Sequence, residues 1–284
     1  MWAARIRADR TTAVDVKTQR FELSDGAVLA YTDTGAGRVI LLLHGVCMSR
    51  MFFERNVIPL SERYRVIAVD FRSHGDSPIT EGNHTVAQYA RDVHALLEHL
   101  QADDVTAVGW SMGNFVLWDY LRQFGRERLA SIVVASQGPS DLTQDDWPFG
   151  FADIPRLHGF ISEMQDDFRE FFVGYVPTMF KQELEPDQLN RFLDSICRVG
   201  ANSGTLILID QTLQDYRAEI PGFAIPHLLV WGSDEKTMAL GAMDWLVEHL
   251  PKAESVVFDN SGHCPMWEEP ERFHDVIDEW MSRH

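Results

Sequence analysis

Gly109-Trp110-Ser111-Met112-Gly113 sets a serine between two glycines, directly after the apolar run Val105-Thr106-Ala107-Val108. In that G-x-S-x-G pattern a strained strand-to-helix turn lifts the serine hydroxyl clear of a sheet. A side chain at either glycine would collide with the turn or the neighbouring strand. A serine hydroxyl is a weak nucleophile near neutral pH and needs an adjacent base, itself oriented by an acid. The chain offers these in order: Ser111, an acid after the apolar run that ends at Val230-Trp231-Gly232, then His263 within Ser261-Gly262-His263. Such a set performs acyl transfer.

A tetrahedral intermediate also needs donors for its oxyanion. His44-Gly45-Val46 closes another apolar run, Val39 to Leu43, expected to lie beside the serine turn. The backbone N–H groups of Val46 and Met112 are the expected oxyanion donors. His44 and Trp110, flanking these positions, are expected to touch substrate.

The elements that must hold these residues follow from pattern. Phe21 to Leu23 and Ala27 to Tyr31 predict a hairpin, with Asp25-Gly26 as a type I′ turn. Val39–Leu43, Arg65–Val69, Val105–Val108, Leu129–Ala135, His227–Gly232 and Ser255–Phe258 are continuous apolar runs, the signature of parallel strands buried on both faces. Helical pattern separates them, near Met51 to Arg63, over Thr85 to Leu100, after Met112 and near Leu240 to Leu250. Val86, Tyr89, Val93, Leu96, Leu97 and Leu100 share one face at 3.6-residue spacing. Phe273, Val276, Ile277, Trp280 and Met281 do so in a last helix. Alternating strands and helices predict an α/β fold, a mostly parallel sheet with helices on both faces.

The rhythm breaks over 139–222, where no buried-strand run appears and phenylalanines crowd: Phe149, Phe151, Phe160, Phe168, Phe171, Phe172, Phe180 and Phe192. This predicts a helical cap inserted into a single domain whose core is 1–138 and 223–284, with some of these rings roofing a pocket.

Composition narrows the function. Across 284 residues, 45% hydrophobic and 24% charged residues are ordinary for a soluble globular chain. A formal net charge of −18 argues against a nucleic-acid partner, which calls for a basic footprint. Met1 to Lys17 has arginines but no apolar core of a secretory leader, and no run reaches the roughly 18 apolar residues of a membrane span. Three cysteines, Cys47, Cys197 and Cys264, form no C-x-x-C pair or disulfide framework, so a reduced cytoplasmic protein is expected.

From about Phe21 to Met281 the chain resembles the α/β-hydrolase superfamily. The matching stretches are the His44-Gly45 turn, Asp70-Phe71-Arg72-Ser73-His74-Gly75-Asp76-Ser77, Gly109 to Gly113, Trp231-Gly232-Ser233-Asp234-Glu235-Lys236 and Ser261-Gly262-His263. Within the superfamily it looks most like the cofactor-free esterases that include bacterial non-haem haloperoxidases and arylesterases. The resemblance implies an ester or lactone hydrolase with no cofactor and no metal, acting on a small molecule. It implies that Asp70 to Ser77 is a structural turn. It places the acid at Asp234 or Glu235: aspartate is the commoner choice, while register, three residues past Gly232 and just before Lys236, favours Glu235. Asp141, after the preceding strand, is a third candidate.

Some positions depart from the pattern. Asn114 stands where many relatives carry a second glycine, Ser73 replaces a common glycine, and no proline follows the acid segment. Cys47 and Cys264 directly follow Val46 and His263. Two rival functions share these motifs: cleavage of carbon–carbon bonds in diketone-like metabolites, and a ligand receptor built on the hydrolase fold.

Overall fold

A computed structural model of the chain describes residues 16–284. The reading of Met1 to Lys17 lies almost wholly outside them. The strands are β1 (Gln19–Glu22), β2 (Val28–Thr34), β3 (Val39–Leu43), β4 (Arg65–Asp70), β5 (Val105–Trp110), β6 (Leu129–Ala135), β7 (His227–Gly232) and β8 (Ala253–Phe258). They form one eight-stranded sheet in the order β1-β2-β4-β3-β5-β6-β7-β8. β1 and β2 pair antiparallel at one edge, and β3 to β8 are parallel.

The helices are α1 (Glu54–Ser61), α2 (Val86–His99), α3 (Met112–Phe124), α4 (Ile154–Asp166), α5 (Phe168–Tyr175), α6 (Pro186–Ile196), α7 (Ala201–Thr212), α8 (Leu240–His249), α9 (Pro265–Glu268) and α10 (Pro270–Arg283). Strand residues alternate between two cores. Leu41 and Leu43 face the core shared with α2, α3 and α8, while Ile40 and Leu42 face the core shared with α1 and α10. The runs of β3 to β7 are therefore covered on both faces, whereas β8 at the sheet edge is largely open, with Val257 40% exposed. α2 begins at Thr85, whose side chain accepts from the Gln88 N–H and caps the helix, and it buries Val86, Tyr89, Val93, Leu96 and Leu97. Each such side chain contributes on the order of 1.5–3 kcal/mol. Among the described residues, no single helix is long and apolar enough to cross a membrane.

The first hairpin differs from expectation. Asp25 is absent from the residues with positive φ, while Gly26 has φ 83° and donates its N–H to the Leu23 carbonyl at 2.9 Å. Ser24 and Asp25 are thus the central turn residues, and Gly26 is the left-handed residue that follows. A type I′ turn would need positive φ at both central positions. The loop therefore spans five residues between β1 and β2 rather than two.

Between β6 and β7 the chain forms α4 to α7 and no named strand. β3 lies between β4 and β5, so the β3–β4 connection runs one way along the sheet and the β4–β5 connection runs back past β3 the other way. A crevice opens at the carboxyl ends of strands where the order diverges in this way, and ligands bind there in open α/β sheets.

Candidate active site

Ser111 sits between β5 and α3 with φ 52° and ψ −124°, a conformation that is costly for any residue but glycine. Its neighbours enforce it. A Cβ on Gly109 would stand 2.5 Å from Asn114 Oδ1, and one on Gly113 would stand 2.3 Å from the Leu43 carbonyl oxygen. The helix start can therefore press against β3 only because both positions are glycine. Asn114 supplies the clamp on the other side: its Nδ2 donates to the carbonyls of Ser111 and Ala135, each at 3.2 Å. The Ser111 N–H also donates to Ala135 O at 3.0 Å. The residue that departs from the usual glycine thus ties the turn to β6.

His263 follows β8, and its Nδ1 lies 2.8 Å from Glu235 Oε2. Both side chains are buried, at 2% and 0% exposure, so this pairing is shielded from solvent. Glu235 Oε1 accepts from the Thr237 N–H at 2.8 Å. Burial alone pushes the Glu235 carboxyl up, but the neighbouring His263, its ring hydrogen bond and the Thr237 and Met238 amides together hold it below the ordinary value. A carboxylate so placed fixes the imidazole tautomer and stabilises an imidazolium. Asp234 turns outward instead, pairing with Lys236 at 2.9 Å on a side chain 39% exposed. Adjacent residues on the turn point apart, and only Glu235 meets the ring.

The histidine is also fixed through its backbone. Its N–H donates to the Met179 carbonyl at 2.8 Å, from the segment between α5 and α6, and its carbonyl accepts from Trp110 Nε1 at 2.8 Å. Glu268 Oε2 accepts from the Gly262 N–H at 2.7 Å, which braces the loop just ahead of the ring.

A small apolar cavity, with about 30 Å³ of room for the centre of a water-sized sphere, opens onto Ser111. Val46, Cys47, Phe151, Phe160, Phe171 and Phe172 line much of it, with Gln137, Asp141 and Gln211 as a polar group. Val46 shares the cavity wall with Ser111 and Met112 follows it in the chain, and among the described residues neither N–H donates to a backbone acceptor outside the regular elements. The structure sets two of the expected substrate contacts back from this lining. His44 and Trp110 are fully buried and lie outside this lining. His44 Nε2 accepts from the Phe71 N–H at 3.1 Å, and its Nδ1 lies 2.8 Å from the Gly45 carbonyl. Burial, with His74 nearby, holds it well below the usual histidine range, so it is a neutral strut between β3 and β4. Trp110 stacks on Phe52 at 4.9 Å and supports His263 from beneath.

Asp70 accepts from the N–H groups of Arg50 and Asp76, at 2.8 and 2.9 Å, and pairs with the Arg50 guanidinium. His74 is buried with Nδ1 2.9 Å from the Arg72 carbonyl. Ser73 adopts φ 64°, the left-handed conformation a glycine takes without strain. Among the described residues no group of His, Cys, Asp or Glu is arranged to hold a metal ion. Of the two cysteines beside candidate site residues, Cys47 lines the cavity and Cys264 does not.

Residues 40–276 match the model of the alpha/beta hydrolase family. The chain belongs to that family. This hydrolase is 25% identical over 255 residues to a protein of Synechocystis named putative non-heme chloroperoxidase, covering 87% of this chain and 92% of the other. It is 28% identical over 259 residues to the pimeloyl-[acyl-carrier protein] methyl ester esterase of Aeromonas hydrophila, covering 87% and 97%. An esterase from Exiguobacterium antarcticum superposes with a TM-score of 0.89 at 22% identity, over 94% of this hydrolase and 100% of that chain, a likeness of fold.

Sequence reasoning missed several positioning groups of the hydrolase. Met179 acts through a backbone carbonyl, which leaves no side-chain signal. Asn114 was visible only as a departure. The Gln137–Asp141–Gln211 group joins a loop after β6 to α7, and nothing in the spacing links them.

Proposed function

We propose that the protein is a serine hydrolase that cleaves a carboxylic ester or lactone through an acyl-enzyme on Ser111. The observation that carries this reading is Ser111 itself, held at a strained turn on the wall of an apolar cavity. The buried Glu235–His263 pair supports it with a base already oriented by an acid. A relative named as a methyl ester esterase supports the same bond.

In this reading His263 Nε2 takes the Ser111 proton as Oγ attacks the carbonyl carbon. The carbonyl oxygen becomes an oxyanion and accepts from the Val46 and Met112 N–H groups. The imidazolium, stabilised by Glu235, then protonates the leaving oxygen as its bond to carbon breaks. The acyl group stays on Oγ. Water attacks next, giving its proton to His263, and collapse returns that proton to Ser111 while the acid departs. With a lactone the leaving hydroxyl remains tethered, and one hydroxy acid is released. These steps use side chains and backbone amides of this protein and water.

An organophosphonate tests the reading: one covalent equivalent should appear by mass spectrometry on the peptide holding Ser111, and p-nitrophenyl esters should turn over repeatedly. Labelling elsewhere, or ester binding without turnover, would refute it.

A further inference from the structure

One side of the cavity is polar in a specific sense. Asp141 is 1% exposed, and its carboxylate accepts from Gln137 Nε2 at 2.6 Å and from Gln211 Nε2. Among the described residues no lysine or arginine pairs with it. A carboxylate offers about four acceptor sites, so two amide donors leave it with unmet capacity. Gln211 is 3% exposed and its Oε1 has no hydrogen-bond partner. Both side chains line the cavity that contains Ser111. Leaving buried acceptors unmatched is expensive, and the Asp141 carboxylate and Gln211 Oε1 are both acceptors with capacity to spare. The remaining lining is mostly phenylalanine, methionine, leucine and valine, and the hydroxyls it also carries, on Ser111, Tyr175 and Thr237, make no hydrogen bond to Asp141 or Gln211.

We propose that Asp141 and Gln211, with Gln137 holding the carboxylate in place, form a subsite that recognises a hydrogen-bond donor on the substrate, a hydroxyl or an amide N–H. The proposal takes from the reading above that the cavity's occupant is a substrate of Ser111, and it narrows that substrate to esters or lactones carrying such a donor. A purely hydrocarbon acyl group would bury the acceptors unsatisfied, so discrimination comes from the penalty as well as the gain. The carboxyl itself is consistent with the acceptor role. Burial pushes it up to about 6, while the two glutamines and His263 act the other way, so it is mainly ionised at neutral pH.

Binding to the Ser111→Ala protein tests this without requiring turnover. The probes are methyl hexanoate and its derivatives carrying a hydroxyl or a methoxy group, either beside the carbonyl or at the far end of the chain. At least one hydroxy ester should bind roughly tenfold or more tighter than both methyl hexanoate and its methoxy counterpart, since a hydrogen bond to a charged group is worth about one decade or more. Adding Asp141→Asn or Gln211→Met should bring that ratio near one while methyl hexanoate still binds. Equal binding of hydroxy, methoxy and plain esters within about twofold overturns the proposal, as does no measurable binding of any hydroxy ester. A preference that survives both changes also overturns it. If Asp141→Asn does not fold, Gln211→Met and the ligand comparison decide alone. Failure of wild-type protein to turn over any ester, with the hydroxyl preference intact, would count against the serine-hydrolase reading and not against the subsite.

Discussion

Glu235 Oε2 meets His263 Nδ1 at 2.8 Å, with both side chains out of solvent and the second Glu235 oxygen occupied by the Thr237 N–H. The acid is thus held at both ends, while its neighbour Asp234 faces Lys236 across the surface. Glu235→Gln should lower kcat by up to roughly 10⁴, because an amide favours the wrong tautomer and cannot stabilise the imidazolium. Asp234→Asn should change it by no more than a few-fold. Steady-state kinetics on the two variants at equal folded fraction decide it. A severe loss in Asp234→Asn alone would reverse the assignment.

Asn114 offers a test of the serine turn. Its amide bridges the Ser111 and Ala135 carbonyls, and its Oδ1 has no partner of its own. Asn114→Ala should cost about 1–2 kcal/mol in urea unfolding. It should also lower kcat with little change in KM, because the loosened turn mispositions Ser111 without altering the cavity wall. An unchanged kcat would mean that the glycines alone set the turn.

The phenylalanines of 139–222 divide into two groups. Phe151, Phe160, Phe171 and Phe172 line the cavity, whereas Phe149 packs on Trp147 at 5.2 Å and Phe192 stacks on Phe52 at 4.1 Å. Phe160→Ala and Phe171→Ala should shift kcat/KM between short and long acyl esters by about tenfold, the scale of a few methylenes in an apolar pocket. Phe149→Ala should leave that ratio unchanged. The same ester series measured on all three variants reads both outcomes.

That division marks where the sequence stops being informative. Ser111, His263 and the β3 to β8 strands were legible because their signals are local: an apolar run, a glycine turn, a fixed order. The phenylalanine-rich stretch announced helices without saying which rings face inward, since that depends on packing between elements. Asp234 and Glu235 differ by one position, and only the turn geometry separates them. Trp110 sits beside Ser111 in sequence, yet a strand alternates its faces and its ring packs on Phe52 in the core, while His44, distant in sequence, packs against Phe71 and His74. The type I′ expectation failed for a related reason: Asp-Gly also fits a longer loop in which only the glycine is left-handed.

Thiol accessibility checks the cysteines. Burial pushes the Cys47 and Cys264 thiols up, so little of either is thiolate, while Cys197 at the end of α6 is only partly covered. In folded protein a maleimide should label Cys197 first, with activity retained, and the other two only after unfolding. Cys264→Ser should keep activity within a few-fold. Rapid labelling of Cys47 with loss of turnover would show that its side of the cavity opens readily.

Acid should destabilise the protein through histidines that are buried neutral. Burial lowers His227 to about 4 despite the opposing pull of its hydrogen bond to the Ile225 carbonyl, and burial lowers His74 likewise to about 4. An unfolded histidine protonates near 6.5. Between about 6.5 and 4 the unfolded chain therefore binds protons that the folded chain refuses. The stability these residues contribute is present above 6.5 and is lost as pH falls, by up to about 1.4 kcal/mol per pH unit for each. Buried carboxyls such as Asp141 and Glu268, which burial raises, work in the opposite sense and mask the total. A comparison of two proteins removes them. His227 lies at the start of β7, at the opposite end of the strand from Glu235, and asparagine keeps a donor for the Ile225 carbonyl. His227→Asn should be less stable than wild type at pH 7.5, and that gap should narrow by about 2 kcal/mol at pH 5, because only the wild type then resists protonation at this position. Urea unfolding at both pH values measures it. A gap that stays constant would mean that His227 is solvated or partnered well enough to protonate in the folded protein.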